Sequence, residues 1–95
     1  MPLLFDDQIT SALLSLPGWV RDGNAFRKTF AFAGFPAAVA FVTRLVPGAE
    51  SADHHPDLTI SYRRVTVAYT THSEGGLTEK DVAGARMAEE QAGRV

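Results

Sequence analysis

Two runs of alternating residues, separated by a pair of arginines, restrict this chain more than any other feature. Leu58, Ile60 and Tyr62 alternate with small polar residues, and Val65, Val67 and Tyr69 alternate in turn with Thr66 and Ala68. A period of two is the mark of a strand with one buried face. Arg63-Arg64 lies between the runs, where the chain must reverse. Strands joined by so short a link can only be antiparallel neighbours. The two arginines themselves read as solvated charges at an exposed turn.

A second hairpin precedes this one. Asp22-Gly23-Asn24 is a turn of residues that tolerate positive φ. It predicts a short strand over residues 19–21 and a returning strand over 25–33. Phe26, Phe30 and Phe32 share one face of the latter, interrupted by Lys28. Three helical segments surround the hairpins. The first runs over about residues 6–16, with Asp6 or Asp7 as N-cap, Ile9, Leu13 and Leu16 on one face, and Pro17-Gly18 as its stop. The second covers about residues 37–46, apolar at Ala38, Phe41, Val42 and Leu45. An interior proline costs about 3 kcal/mol, so Pro47-Gly48 predicts a kink or break, with a further turn over 49–52. The third runs over 79–91, capped by Thr78 with Asp81 in the capping-box position. Its inner face, Val82, Ala85 and Ala88 or Glu89, is poor in large apolar groups and suits a helix that leans on a partner surface.

The order is therefore α-β-β-α-β-β-α. The fold class is α+β, one domain over residues 1–95, with a four-stranded antiparallel sheet covered on one face by three helices. Such a sheet has two edges, and a short polar edge strand invites pairing with a second copy.

Composition narrows the function classes. The formal net charge of −2 lacks the basic excess of a phosphate-binding surface, so no nucleic-acid partner is expected. With no cysteine, disulfides, thiolate metal sites and thiol catalysis drop out. No apolar run reaches the roughly 18 residues of a membrane span, and the first residues lack a signal peptide's pattern, so a cytoplasmic location is expected.

All three histidines fall between Glu50 and Asp81. Histidine changes charge near neutral pH without help. His54-His55-Pro56 closes the second helix, because the residue before proline avoids the α region. By parity, His72 points away from Val65, Val67 and Tyr69, so it is not a core residue. Zinc is disfavoured, since adjacent histidines can rarely both bind one ion and no helical His-x-x-x-His is present. A purely structural cluster is equally disfavoured. The remaining reading is general acid–base catalysis on a small polar heterocycle, with Glu50, Asp53 or Asp81 fixing tautomers.

These residues resemble the pterin-4a-carbinolamine dehydratases. The resemblance rests on Glu50-x-x-x-His54-His55-Pro56, then Tyr62, His72 and Asp81 at matching intervals. Leu13-x-x-Leu16-Pro17-Gly18-Trp19, Phe30-x-Phe32-x-x-Phe35 with Ala38 and Phe41, and Thr71-His72 followed by Gly75-Gly76-Leu77-Thr78 extend it over nearly the whole chain. It departs from the family at Pro47-Gly48, where helix is usually uninterrupted, at Tyr69, where an aliphatic residue is common, and at Ser73 and Glu74.

The resemblance implies loss of water from a 4a-hydroxytetrahydropterin to give the quinonoid dihydropterin, without a metal or organic cofactor. That reaction recycles the pterin of aromatic amino-acid hydroxylases. His54, His55 and His72 match the family's histidines, two as acid and base and one as a binding group. Pro56, Thr71, Ser73 and Glu74 match positions lining the pterin, and Trp19 would wall the pocket. Glu50, Asp53 and Asp81 would orient histidines or, for Asp81, cap the third helix. The family implies a homodimer or homotetramer. It also implies an alternative role, as a protein-binding module serving as dimerisation partner or coactivator of a transcription factor.

Overall fold

In the computed structural model, which describes residues 2–95, the two alternating runs pair as neighbours. β3 (Asp57–Ser61) and β4 (Arg64–Tyr69) are antiparallel, with Leu58 opposite Val67 and Ile60 opposite Val65. Tyr62 lies outside the strand, at φ 52°. A two-residue link between twisted strands calls for positive φ, and this ends the strand one residue before the alternation does.

β1 (Val20–Asp22) and β2 (Ala25–Ala31) form the other hairpin, turning at Gly23 with φ 60°. The sheet order is β1-β2-β4-β3, antiparallel throughout. β2 ends at Ala31 rather than 33, because Ala31 pairs with Arg64, the first residue of β4. Phe32 continues only through a backbone bond from its N–H to the Arg63 carbonyl (2.9 Å). β1 begins one residue later than predicted. Trp19 instead turns into the core, where it is 4% exposed.

Phe26, Phe30, Val65, Val67 and Tyr69 form the inner face and are buried. Burying each large apolar side chain contributes about 1.5–3 kcal/mol. Lys28 shares this face opposite Val67. Its ammonium sits over the Phe30 ring, donates to the Pro17 carbonyl at 2.9 Å and pairs with Glu89. The interruption in the apolar pattern is thus a partly buried ion pair to the third helix. On the open face Thr29 and Thr66 share a hydroxyl hydrogen bond of 2.9 Å.

α1 (Asp6–Leu14) is shorter than predicted, and its N-cap is Phe5. Gln8 Oε1 accepts from the Phe5 N–H at 2.8 Å, so neither aspartate is needed as cap. Asp6 and Asp7 occupy the first turn, favourable for the helix dipole. Leu16 reaches the core from the turn that follows.

α2 (Phe35–Ala52) corrects a second expectation. It runs unbroken through Pro47. The carbonyl freed by the proline is that of Thr43, one turn earlier, and Thr43 and Pro47 both lie on the exposed side. Water can satisfy that carbonyl, so the helix continues. The buried side carries Ala38, Phe41, Leu45 and Ala49. Phe41 packs 5.0 Å from the rings of both Phe30 and Phe32. α3 (Glu79–Ala92) lies beside α2, burying Val82, Ala85 and Ala88. Its small residues allow close approach: a Cβ on Gly48 of α2 would meet Met87 Cε of α3 at 2.9 Å. No helix among the described residues is long and apolar enough to cross a membrane.

Candidate active site

The site begins where α2 ends. Asp53 takes the left-handed conformation (φ 50°) and its N–H bonds to the Glu50 carbonyl. The His54 N–H bonds to the Ala49 carbonyl. This C-terminal cap reverses the chain into Pro56 and β3 and throws His54 and His55 to different sides.

His54 turns inward. Its side chain is 10% exposed, and Nε2 lies 2.7 Å from Oδ1 of fully buried Asp81. The ring stacks on Tyr69, with centroids 5.8 Å apart. Asp81 is the junction of a buried network. Its Oδ2 accepts from the Thr71 hydroxyl (2.8 Å) and from the Thr78 N–H (2.9 Å). The Thr78 hydroxyl donates to Thr71 (2.8 Å) while accepting from the Lys80 N–H (3.2 Å). Every neighbour of the carboxylate is therefore a donor, so His54 Nε2 must carry a hydrogen. In neutral His54 the lone pair is left on Nδ1, a proton acceptor. Asp81 thus caps α3 and orients His54 at once.

His55 turns outward. Its Nε2 lies 2.5 Å from Glu50 Oε2, and both side chains are more than half exposed. His72 opens a single 3-10 turn (His72–Glu74) after β4 and is exposed, together with Ser73 and Glu74. The Thr71–Gly76 bridge pins the base of this turn, and Gly75 closes it at φ 75°.

Three clefts border these residues. His55, Glu50 and Pro56 line one of about 260 Å³ between α2 and β3, with Val46 and Leu58. His54 lines one of about 220 Å³ between α2 and α3, with Tyr69, Lys80 and Met87. His72 and Thr70 line a third of about 270 Å³ beside Asn24 and Gly75. Each histidine thus faces its own cleft in the single chain.

Among the other residues singled out from sequence, Thr71 is buried in the Asp81 network. Among the described residues the Asp53 side chain joins no hydrogen bond, and its backbone shapes the junction. Trp19 stands behind the site: its indole N–H donates to Glu89 Oε1 (2.8 Å), and its ring lies 6.4 Å from that of Tyr69. No group of three histidine, aspartate or glutamate side chains among the described residues is placed to hold a metal ion. Sequence reasoning missed the Thr71–Thr78 relay and the lining role of Tyr69. For Tyr69 the signal was its departure from the aliphatic residue common in the family.

Fold and site together define a small α+β domain with histidines oriented by carboxylates at one helix–strand junction. Comparison with known proteins places it more closely. The model of the family described as pterin 4 alpha carbinolamine dehydratase matches residues 2–91. A Mycobacteroides abscessus protein, provisionally named a pterin-4-alpha-carbinolamine dehydratase, is 49% identical over 99% of this chain and 100% of its own. A Thermomicrobium roseum protein of the same name is 49% identical over 97% and 99%. The crystal structure of a Brucella melitensis transcriptional coactivator/pterin dehydratase superposes with a TM-score of 0.91 at 36% identity, covering 95% of this chain and 98% of that one. A pterin dehydratase-like protein described as a RuBisCO assembly factor shares the fold, with a TM-score of 0.69 at 24% identity. The chain belongs to the pterin-4-alpha-carbinolamine dehydratase family and is, in class, a hydro-lyase.

Proposed function

We propose that this chain dehydrates a 4a-hydroxytetrahydropterin to the quinonoid dihydropterin, recycling the cofactor of aromatic amino-acid hydroxylation. The observation that carries the reading is the His54–Asp81 pair: a buried carboxylate that fixes one imidazole with a free acceptor nitrogen. Dehydration needs a base for the N5 proton and an acid for the departing 4a-hydroxyl. His54 suits the first task. His55, held by Glu50, and His72, on its exposed turn, match the family's remaining histidines and are assigned the acid and a binding contact on that resemblance, while in the single chain each lines a separate cleft. Pro56 shapes the wall beside His55, and Ser73 and Glu74 present the edge beside His72. The reaction needs no metal or organic cofactor. The test is turnover in His55→Ala and His72→Ala, each expected to fall about a hundredfold, the usual scale for one acid–base group. Wild-type rates in both would remove these residues from the site.

The chain is further proposed to act as a homodimer or homotetramer. β3 is an edge strand with every residue exposed, and Leu58, Ile60 and Val46 stay 37%, 42% and 54% exposed around the α2–β3 cleft. A second role as a coactivator-like binding module is favoured only by the name of the Brucella melitensis neighbour. It would act by protein contact and leave the histidines unused.

A further inference from the structure

The family resemblance puts Thr71 among the residues that line the pterin. The structure instead buries it, with 4% exposure, and bonds its hydroxyl to Thr78 and Asp81. The chain of hydrogen bonds has a fixed direction. The Lys80 N–H can only donate, and it donates to the Thr78 hydroxyl (3.2 Å). The Thr78 hydrogen then goes to Thr71 (2.8 Å), and the Thr71 hydrogen goes to Asp81 Oδ2 (2.8 Å). A backbone amide at the start of α3 thus sets the sense of the chain, which ends on the carboxylate. Thr78 and Asp81 are fully buried, so the donors on Oδ2 are protein groups and not bulk water.

The load on Asp81 is uneven. Oδ2 takes the Thr71 hydroxyl and the Thr78 N–H (2.9 Å), while Oδ1 takes His54 Nε2 (2.7 Å). Donors on a carboxylate stabilise its negative charge and weaken its pull on a further proton. The other groups around His54 are Tyr69 of β4, stacked on the ring, and Lys80 of α3, which lines the same cleft. From α2 that cleft receives only Gly48 and Ala52. Asp53 and His55 flank His54 in the chain, and His55 is turned outward to Glu50. Among the described residues Asp81 is therefore the charged group bonded to the ring, and Thr71 is bonded to Asp81.

Resting on the dehydratase reading, we propose that Thr71 is a positioning residue that acts on His54 through Asp81. Its hydroxyl holds Oδ2, which turns Oδ1 to the ring and limits how strongly Oδ1 favours the imidazolium form. The carboxylate thus orients His54 while Nδ1 stays open to the N5 proton. The Thr71 backbone has a separate task. Its N–H donates to the Gly76 carbonyl (3.0 Å) and its carbonyl accepts from the Gly75 N–H (3.0 Å), which pins the turn that carries His72. These are main-chain bonds, so a side-chain substitution addresses the hydroxyl alone.

The test is a graded series: Thr71→Ser keeps a strong donor, Thr71→Cys a weak one and Thr71→Val none. The first readout is an NMR titration of the His54 ring in the free protein, which needs no activity. Without the donor, Oδ1 carries more of the charge and favours imidazolium. The midpoint in Thr71→Val should therefore rise by about half to one pH unit, the scale of one hydrogen bond. Thr71→Ser should keep the wild-type midpoint, and Thr71→Cys should fall between. The second readout is the acid limb of kcat/KM, which should move up in pH with the midpoint, because protonated His54 cannot take the N5 proton. A threonine that merely fills space would lower the melting temperature in Thr71→Val and leave the midpoint in place. An unchanged midpoint in Thr71→Cys and Thr71→Val, a downward shift, or a shift in Thr71→Ser as large as in Thr71→Val would each overturn the proposal. Thr71→Cys keeps it open to refutation should Thr71→Val not fold. A raised midpoint in a protein that does not accelerate dehydration would uphold the hold of Thr71 on His54 and sink the dehydratase reading instead.

Discussion

Replacing Asp81 separates two roles that one carboxylate performs. In the native chain it accepts from His54 Nε2, Thr71 Oγ1 and Thr78 N, all within 2.9 Å and out of water. Asp81→Ala strands three buried donors. Breaking such a pair costs about 3–5 kcal/mol, and at about 4–8 °C per kcal/mol the melting temperature falls by about 12–40 °C. Asp81→Asn behaves differently. Its amide oxygen can take the place of Oδ2 and serve Thr71 and Thr78. Its NH₂ then faces His54, which must offer a lone pair from Nε2 and move its hydrogen to Nδ1. Only the charge assistance is lost, about 1–2 kcal/mol. Yet the free nitrogen of His54 has changed from acceptor to donor, and turnover should fall about 10²–10⁴-fold. The assays are thermal melting, dehydration turnover and long-range ¹H–¹⁵N correlation of the His54 ring. A melting temperature for Asp81→Asn as low as that of Asp81→Ala, or an unchanged Nε2–H tautomer in Asp81→Asn, would refute the reasoning.

Gly84→Ala drives a methyl group into the Tyr69 ring and should cost about 1–3 kcal/mol, as overpacking does. In a Tyr69→Val background the same change should cost little, and an equal loss in both backgrounds would show that the ring is not what Gly84 accommodates. Alkaline unfolding reports on the phenol. Because the folded pKa is raised from 10.0 to about 12, the stability it contributes is complete below pH 10 and is lost as pH rises towards 12. The loss amounts to up to about 2–3 kcal/mol, and Tyr69→Phe should lack this part of the slope on urea titration at each pH. Light scattering should find a dimer or tetramer, and Ile60→Asp on the β3 edge should shift it towards monomer. A monomeric wild type would contradict the proposed assembly.

Much of this was legible in the sequence because periodicity reports burial. Val65, Val67 and Tyr69 against Thr66 and Ala68 gave the inner face of β4 directly, and Thr78 with Asp81 announced the start of α3. Pro47 misled because its cost depends on where the freed carbonyl points. On an exposed helix side, water meets that cost, and sequence alone does not state the exposure. Trp19 and Lys28 were hard to place because each is settled by Glu89, a residue 70 and 61 positions away. Parity correctly took His72 out of the core. It could not show that the three histidines would face three clefts, since that follows from the left-handed turn at Asp53 and the 3-10 turn after β4.

The most direct measurement follows dehydration of freshly generated 4a-hydroxytetrahydropterin, by stopped-flow absorbance, with and without purified protein. Acceleration that saturates with substrate and falls in His54→Ala, His55→Ala and His72→Ala is the predicted result. A wild-type rate no faster than buffer would contradict the account.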